Sequence, residues 1–158
     1  MTAPGTLLAV DLGLRTGLAL YGEDGRLRWF RSHNLGNAGR LRRAAQRVLA
    51  EHGDGLALLV LEGPRDLAEI WQRVAARRGV AARNIAAETW RERLLLPRQR
   101  RRGPLAKRHA GRLARRVIRW SQLPGPPSLR HDAAEAILVG LFCVLDLGWL
   151  DRLPQELR

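Results

Sequence analysis

Three places in the sequence put a carboxylate where a folded chain would resist having one. Asp11 interrupts the apolar run Leu7–Leu12, in Val10-Asp11-Leu12-Gly13. Glu62 closes a second run, Leu58-Leu59-Val60-Leu61, just before Gly63-Pro64. Asp132 and Glu135 stand three apart in His131-Asp132-Ala133-Ala134-Glu135-Ala136, where helical spacing puts both on one face and the alanines allow close packing. An isolated buried carboxylate is costly, and a cation removes that cost. Two carboxylates side by side repel unless a cation lies between them. The chemistry such a group suits is phosphodiester hydrolysis, which needs a strong nucleophile and charge neutralisation at the leaving oxygen. Two divalent ions held by oxygen ligands supply both. Each carboxylate also has a plainer reading. Asp11 could bond the turn that follows it, Glu62 could be a solvated strand end, and Asp132-x-x-Glu135 has the form of a capping box. Asp66-Leu67-Ala68-Glu69 repeats that form outside an apolar setting and reads as capping alone.

The cations point the same way. Of 28 Lys and Arg residues against 15 Asp and Glu, giving a net charge of +13, Lys107 is the only lysine. A compact ammonium there could steady charge on a phosphate, or could simply be solvated. Arg100, Arg101 and Arg102 lead into a helix whose outer face carries Arg108, Arg112 and Arg115, and Arg15 follows the first acidic residue. Together these read as a surface for phosphates, which positions a nucleic acid without reading its sequence. His131, beside Asp132, is a possible accessory base or ligand. His33, His52 and His109 read as surface residues.

The elements that must position these groups follow from apolar periodicity. Leu7–Leu12, Thr16–Tyr21 and Leu27–Arg31 read as an antiparallel meander. A helix opens after Gly36–Gly39 with Leu41, Ala45, Val48 and Leu49 on one face. Strand Leu56–Leu61, helix Asp66–Arg78, strand Ala82–Ala87 and a short helix Thr89–Leu95 come next. After an Arg-rich loop over Pro97–Pro104, Leu105–Trp120 is amphipathic, and Asp132–Leu147 is a mostly buried helix. Leaving aside the short helix Thr89–Leu95, the order β-β-β-α-β-α-β-α-α implies an α/β fold with a five-stranded mixed sheet and helices on both faces. The 158 residues suit one domain, and the 46% hydrophobic fraction suits a real core. The apolar stretch near Ile137–Leu150 is too short and interrupted to span a membrane. Met1–Thr6 has no signal-peptide pattern. The lone Cys143 allows no internal disulfide or Cys-based zinc site, which fits a reducing, cytoplasmic setting. Trp71, Trp90 and Trp120 sit near apolar stripes and read as packing.

Taken in order, Val10-Asp11-Leu12-Gly13 with Thr16-Gly17 and Ala19, Leu61-Glu62, Ala106-Lys107 and Asp132-Ala133-Ala134-Glu135-Ala136 resemble the RuvC-type Holliday junction resolvases of the ribonuclease H-like superfamily. The resemblance runs from about Leu7 to Leu147. It implies that Asp11, Glu62, Asp132 and Glu135 are metal ligands and that Lys107 is the phosphate-facing lysine. It also implies Mg²⁺ or Mn²⁺, two per site, with no organic cofactor. The partners it implies are branched DNA, as a four-way junction cut by paired nicks leaving 5′-phosphate and 3′-hydroxyl ends, and a second copy of the chain in a homodimer. The dimer contact would lie around helix Asp66–Arg78, whose Leu67, Ile70, Trp71 and Val74 could serve it or the core. Two departures stand out. Glu135 replaces the family's usual Asp, and the Leu96–Pro104 segment is Arg-rich where a Gly-rich pattern precedes the lysine.

Three other readings fit parts of the chain. A YqgF-like nuclease acting on RNA shares the fold. An ATP-binding actin-like or sugar-kinase-like fold shares Asp11-Leu12-Gly13 with Thr16 but needs two domains, for which the chain is too short. A non-catalytic DNA-binding scaffold would have to carry an idle cluster of buried carboxylates, which is destabilising.

Overall fold

The computed structural model describes residues 5–158. The reading of Met1–Thr6 falls mostly on residues 1–4, outside the described residues. Five strands form one sheet in the order β3-β2-β1-β4-β5. These are β1 (Thr6–Asp11), β2 (Arg15–Gly22), β3 (Leu27–Asn34), β4 (Leu56–Glu62) and β5 (Ala82–Ile85). β1, β2 and β3 are the expected antiparallel meander, while β4 runs parallel to β1 and β5 parallel to β4. β1 is the central strand, with Leu7, Leu8, Ala9 and Val10 all at 0% exposure, which explains why its sequence is apolar without alternation.

Each face of the sheet has its own core. Leu8, Val10, Leu18, Leu20, Leu59 and Leu61 point to one side, under α1 (Ala38–His52) and α2 (Arg65–Arg77). Leu7, Ala9, Ala19, Tyr21 and Val60 point to the other, under α3 (Ala87–Leu94), α4 (Gly103–Trp120) and α5 (His131–Asp146). The expected helices on both faces are therefore present. α5 is buried from Asp132 through Leu145 because it lies between the sheet and α4. Gly140 permits this, since a β-carbon there would lie 2.3 Å from the Tyr21 ring. The Tyr21 hydroxyl then donates to the Ile137 carbonyl.

Element ends differ from expectation for identifiable reasons. β3 continues to Asn34 because a sheet edge tolerates exposed polar residues. β5 stops at Ile85, where Ala86 becomes the N-cap of α3. The expected loop over Pro97–Pro104 contains a 3₁₀ turn, Pro97–Gln99, and ends sooner, since α4 starts at Gly103. Pro104 costs nothing in that first turn because its missing N–H would have no partner there. In the stripe Leu67, Ile70, Trp71 and Val74 of α2, Trp71 and Val74 are buried in the core, while Leu67 and Ile70 pack against it and stay half-buried.

Candidate metal centre

The parallel pairing of β1 with β4 sets Asp11 directly opposite Glu62. The pairing continues past the acids, with Leu12 N–H donating to Glu62 O at 2.8 Å. Gly63 then turns the chain at φ 135°, a value a side chain resists, and a β-carbon there would lie 2.8 Å from Leu12 Cβ. On the other flank Asp11 pairs with Gly17 of β2. The tight turn between them is closed by Thr16 Oγ1 donating to Gly13 O at 2.7 Å.

Gly17 lets α5 reach this strand end. A β-carbon at Gly17 would lie 1.9 Å from the Asp132 carbonyl oxygen and 2.3 Å from its carbon. The first turn of α5 therefore rests on bare backbone, and this brings Glu135 to the two strand-end carboxylates. Ligand oxygens of Asp11, Glu62 and Glu135 all lie within 4.8 Å of one another. Gly17→Ala forces backbone from backbone, so the start of α5 must retreat. We expect a stability loss of about 1–3 kcal/mol and a fall of about 10²-fold in any metal-dependent activity, with the far-UV spectrum unchanged. Undiminished activity would show that this contact does not set the centre.

Asp132 stands beside that group rather than in it. Its Oδ2 accepts from Ser32 Oγ at 2.6 Å, and its Oδ1 is buried with no hydrogen-bond partner. Asp132-x-x-Glu135 is not a capping box. Arg130 is the N-cap of α5, no side chain caps the helix, and both acids lie inside it. The reading of Asp66 and Glu69 as capping is corrected too, because Pro64 is the N-cap of α2 and makes no side-chain cap. Both residues are exposed, and Asp66 in the first turn complements the helix dipole.

Electrostatics describe a site short of positive charge. Asp11 is pushed up to about 9, first by burial, then by its hydrogen-bonding contact with Glu62 and the charges of Glu135, Glu62 and Asp132. Burial raises Glu62 as well. The two carboxyls are raised side by side, which favours a proton shared between them. Glu135 behaves oppositely. Burial pushes its carboxyl up, but the hydrogen bond and charge of His131 and the charge of Arg91 outweigh it and leave the group below its ordinary value. His131 Nε2 lies 2.9 Å from Glu135 Oε1, and Arg91 Nη2 lies 3.2 Å from the same oxygen.

A hard divalent ion fits this donor set. Magnesium binds oxygen at about 2.0–2.1 Å, so ligands across one ion lie roughly 4 Å apart. Three carboxylate oxygens already approach that spacing, and the orphaned Asp132 Oδ1 offers a fourth acceptor. The three-oxygen group was legible as carboxylates ending apolar runs. Arg91, Ser32 and the tight contact at Gly17 were not singled out from sequence. Lys107 is exposed on α4, and no hydrogen bond or ion pair joins it to the carboxylates among the described residues. Arg15, Arg101, Arg102, Arg108, Arg112 and Arg115 are exposed. Arg115 donates to Pro126 O at 3.2 Å. Arg100 is half-buried, and its Nε has no partner.

No family model and no curated protein sequence matches this chain. Solved structures do. The structure of Thermus thermophilus RuvC in complex with a Holliday junction substrate has a TM-score of 0.65 at 15% identity, covering 91% of this chain and 96% of that one. A second Thermus thermophilus RuvC structure gives 0.63 at 16% identity, covering 90% and 95%. The chain therefore has the ribonuclease H-like α/β fold of these proteins.

Proposed function

We propose that the chain is a metal-dependent, structure-selective endodeoxyribonuclease that resolves four-way DNA junctions by paired nicks. The observation that carries this reading is the convergence of the Asp11, Glu62 and Glu135 oxygens within 4.8 Å at the ends of two parallel strands and one helix. In this reading Asp11, Glu62 and Glu135 hold Mg²⁺ or Mn²⁺, with Asp132 completing the shell. Two such ions, when bound, supply an activated water and neutralise charge on the leaving oxygen. Asp11 and Glu62 give up their shared proton to become ligands. Ser32 orients Asp132, and His131 keeps Glu135 ionised and placed. The products carry 5′-phosphate and 3′-hydroxyl ends.

The exposed arginines around α4 supply the non-specific grip on phosphates, with Lys107 among them. The centre lies within a single nuclease domain spanning residues 1–158, working in the cytoplasm. A homodimer presents two such centres to the two symmetric strands of a junction. In α2, Trp71 and Val74 are buried in the protomer, while Leu67 and Ile70 are partly exposed and could still serve the dimer contact.

Cleavage of a labelled four-way junction, beside linear duplex, flap and RNA–DNA hybrid, with Mg²⁺, Mn²⁺ or EDTA, tests the reading. We expect symmetric, metal-dependent nicks in the junction, made by a species that sizes as a dimer. Preferential cutting of hybrid or RNA would move the chain to the YqgF-like, RNA-directed reading. Tight junction binding with no cutting in any metal would make it a scaffold.

A further inference from the structure

Arg91 occupies a place that the carboxylates alone do not explain. It follows Trp90, which is fully buried in the core shared with α4 and α5 and so fixes where the next side chain emerges. The Arg91 guanidinium carbon lies 5.3 Å from the Trp90 ring centroid, and Nη2 is 3.2 Å from Glu135 Oε1. The side chain is only 26% exposed, and its Nε is buried with no partner. Guanidinium carries five N–H donors in a planar fork, and Glu135 engages one edge of it. A buried donor without an acceptor is destabilising. The site therefore lacks an acceptor beside the carboxylates, and a planar fork suits a phosphate.

Arg91 and a metal ion also compete. Both are cations drawn to the same carboxylates, and His131 and Arg91 are the basic side chains that touch Glu135 among the described residues. We propose that Arg91 is a phosphate-binding residue of this site, held on Glu135 and passing to the scissile phosphate when Glu135 turns to a metal. This rests on the nuclease reading above. It assigns Arg91 a role that sequence alone suggested for Lys107, which is exposed.

The two duties make opposite demands. As a neighbouring positive charge, Arg91 weakens metal binding. As a phosphate ligand, it speeds cleavage. A purely structural role would move both in the same direction. The test uses the full chain and its Arg91→Gln and Arg91→Lys variants. Mn²⁺ is titrated into each by calorimetry without DNA, and junction cleavage is then timed at saturating Mn²⁺. Arg91→Gln should bind Mn²⁺ about threefold or more tighter yet cut about 10²-fold more slowly. Arg91→Lys keeps the charge but loses the fork, so its Mn²⁺ affinity should stay near wild type and its cleavage fall between the other two. Arg91→Gln that binds Mn²⁺ no tighter than wild type, or cuts as fast, overturns the proposal. Wild type that takes up no Mn²⁺ overturns the metal-centre reading beneath it. Wild type that binds Mn²⁺ but cuts no DNA overturns the nuclease reading, and the phosphate role with it.

Discussion

Asp11→Asn should abolish metal-dependent cleavage, by at least about 10³-fold, while leaving DNA binding intact or slightly tighter. Asp11 is central in the acidic group. It faces Glu62 across the strand pair, and the charges of Glu135 and Asp132 both act on it. Asparagine keeps the shape but removes the charge, so the remaining acids must hold the cation without the residue that links them. Binding takes the opposite sign because the grip on phosphates comes from exposed arginines. Removing one negative charge from the site lowers repulsion of the backbone. The measurement is single-turnover cleavage beside filter binding at several salt concentrations. Equal loss of binding and cutting would mean that the substitution disrupted the DNA surface instead.

The same variant should be more stable than wild type when metal is withheld. The folded chain keeps the Asp11 proton up to about pH 9, whereas an unfolded aspartate loses it near 3.8. Between those values the folded state binds more protons, so unfolding free energy falls as pH rises. At 1.36 kcal/mol per unit the penalty at pH 7 has an upper bound of about 4 kcal/mol. Water entry and side-chain relaxation reduce it to about 1–3 kcal/mol. Asparagine carries no such penalty, so metal-free Asp11→Asn should melt about 3–10 °C higher near neutral pH. The gap should close as pH falls toward 4. Glu135, held below its ordinary value, adds stability at neutral pH that is lost on acidification, but both proteins share it. Mn²⁺ should reverse the order by raising the wild-type melting temperature and hardly moving that of Asp11→Asn. Melting curves in EDTA and Mn²⁺ across pH 4–9 give the answer. A wild type that is the more stable of the two in EDTA at pH 8 would mean that Asp11 is not electrostatically strained.

Both predictions concern a residue that the sequence already marked. Asp11 and Glu62 were legible because a carboxylate at the end of a wholly apolar strand has few structural uses. Their adjacency followed once β1 and β4 were read as parallel neighbours. Glu135 was legible from the small residues around it. The hydrogen bond from Ser32 that orients Asp132 was not, because it depends on how far α5 is rotated and on a residue a hundred positions earlier on an edge strand. Arg91 was hidden for a statistical reason. One arginine among so many carries no signal, and its place depends on how Trp90 seats α3. Lys107 drew notice through its rarity, a property of composition that leaves position open. The α2 stripe had the right spacing for an interface or a core, and the fold buries Trp71 and Val74 while leaving Leu67 and Ile70 half-buried.

The parallel pairing of β1 with β4 also bears on when this centre comes into being. Its three converging carboxylates stand at positions 11, 62 and 135, so nearly the whole chain must be made and docked before they meet. Parallel pairing across a helical crossover is slow to form, because loop closure must precede any reward from contact. α5, the latest of the three contributing elements in chain order, then brings Glu135. Until that docking step a nascent chain holds two acids on a half-built sheet and has no complete cation site. The topology thus acts as a timer, withholding the assembled carboxylate centre from partly folded chains.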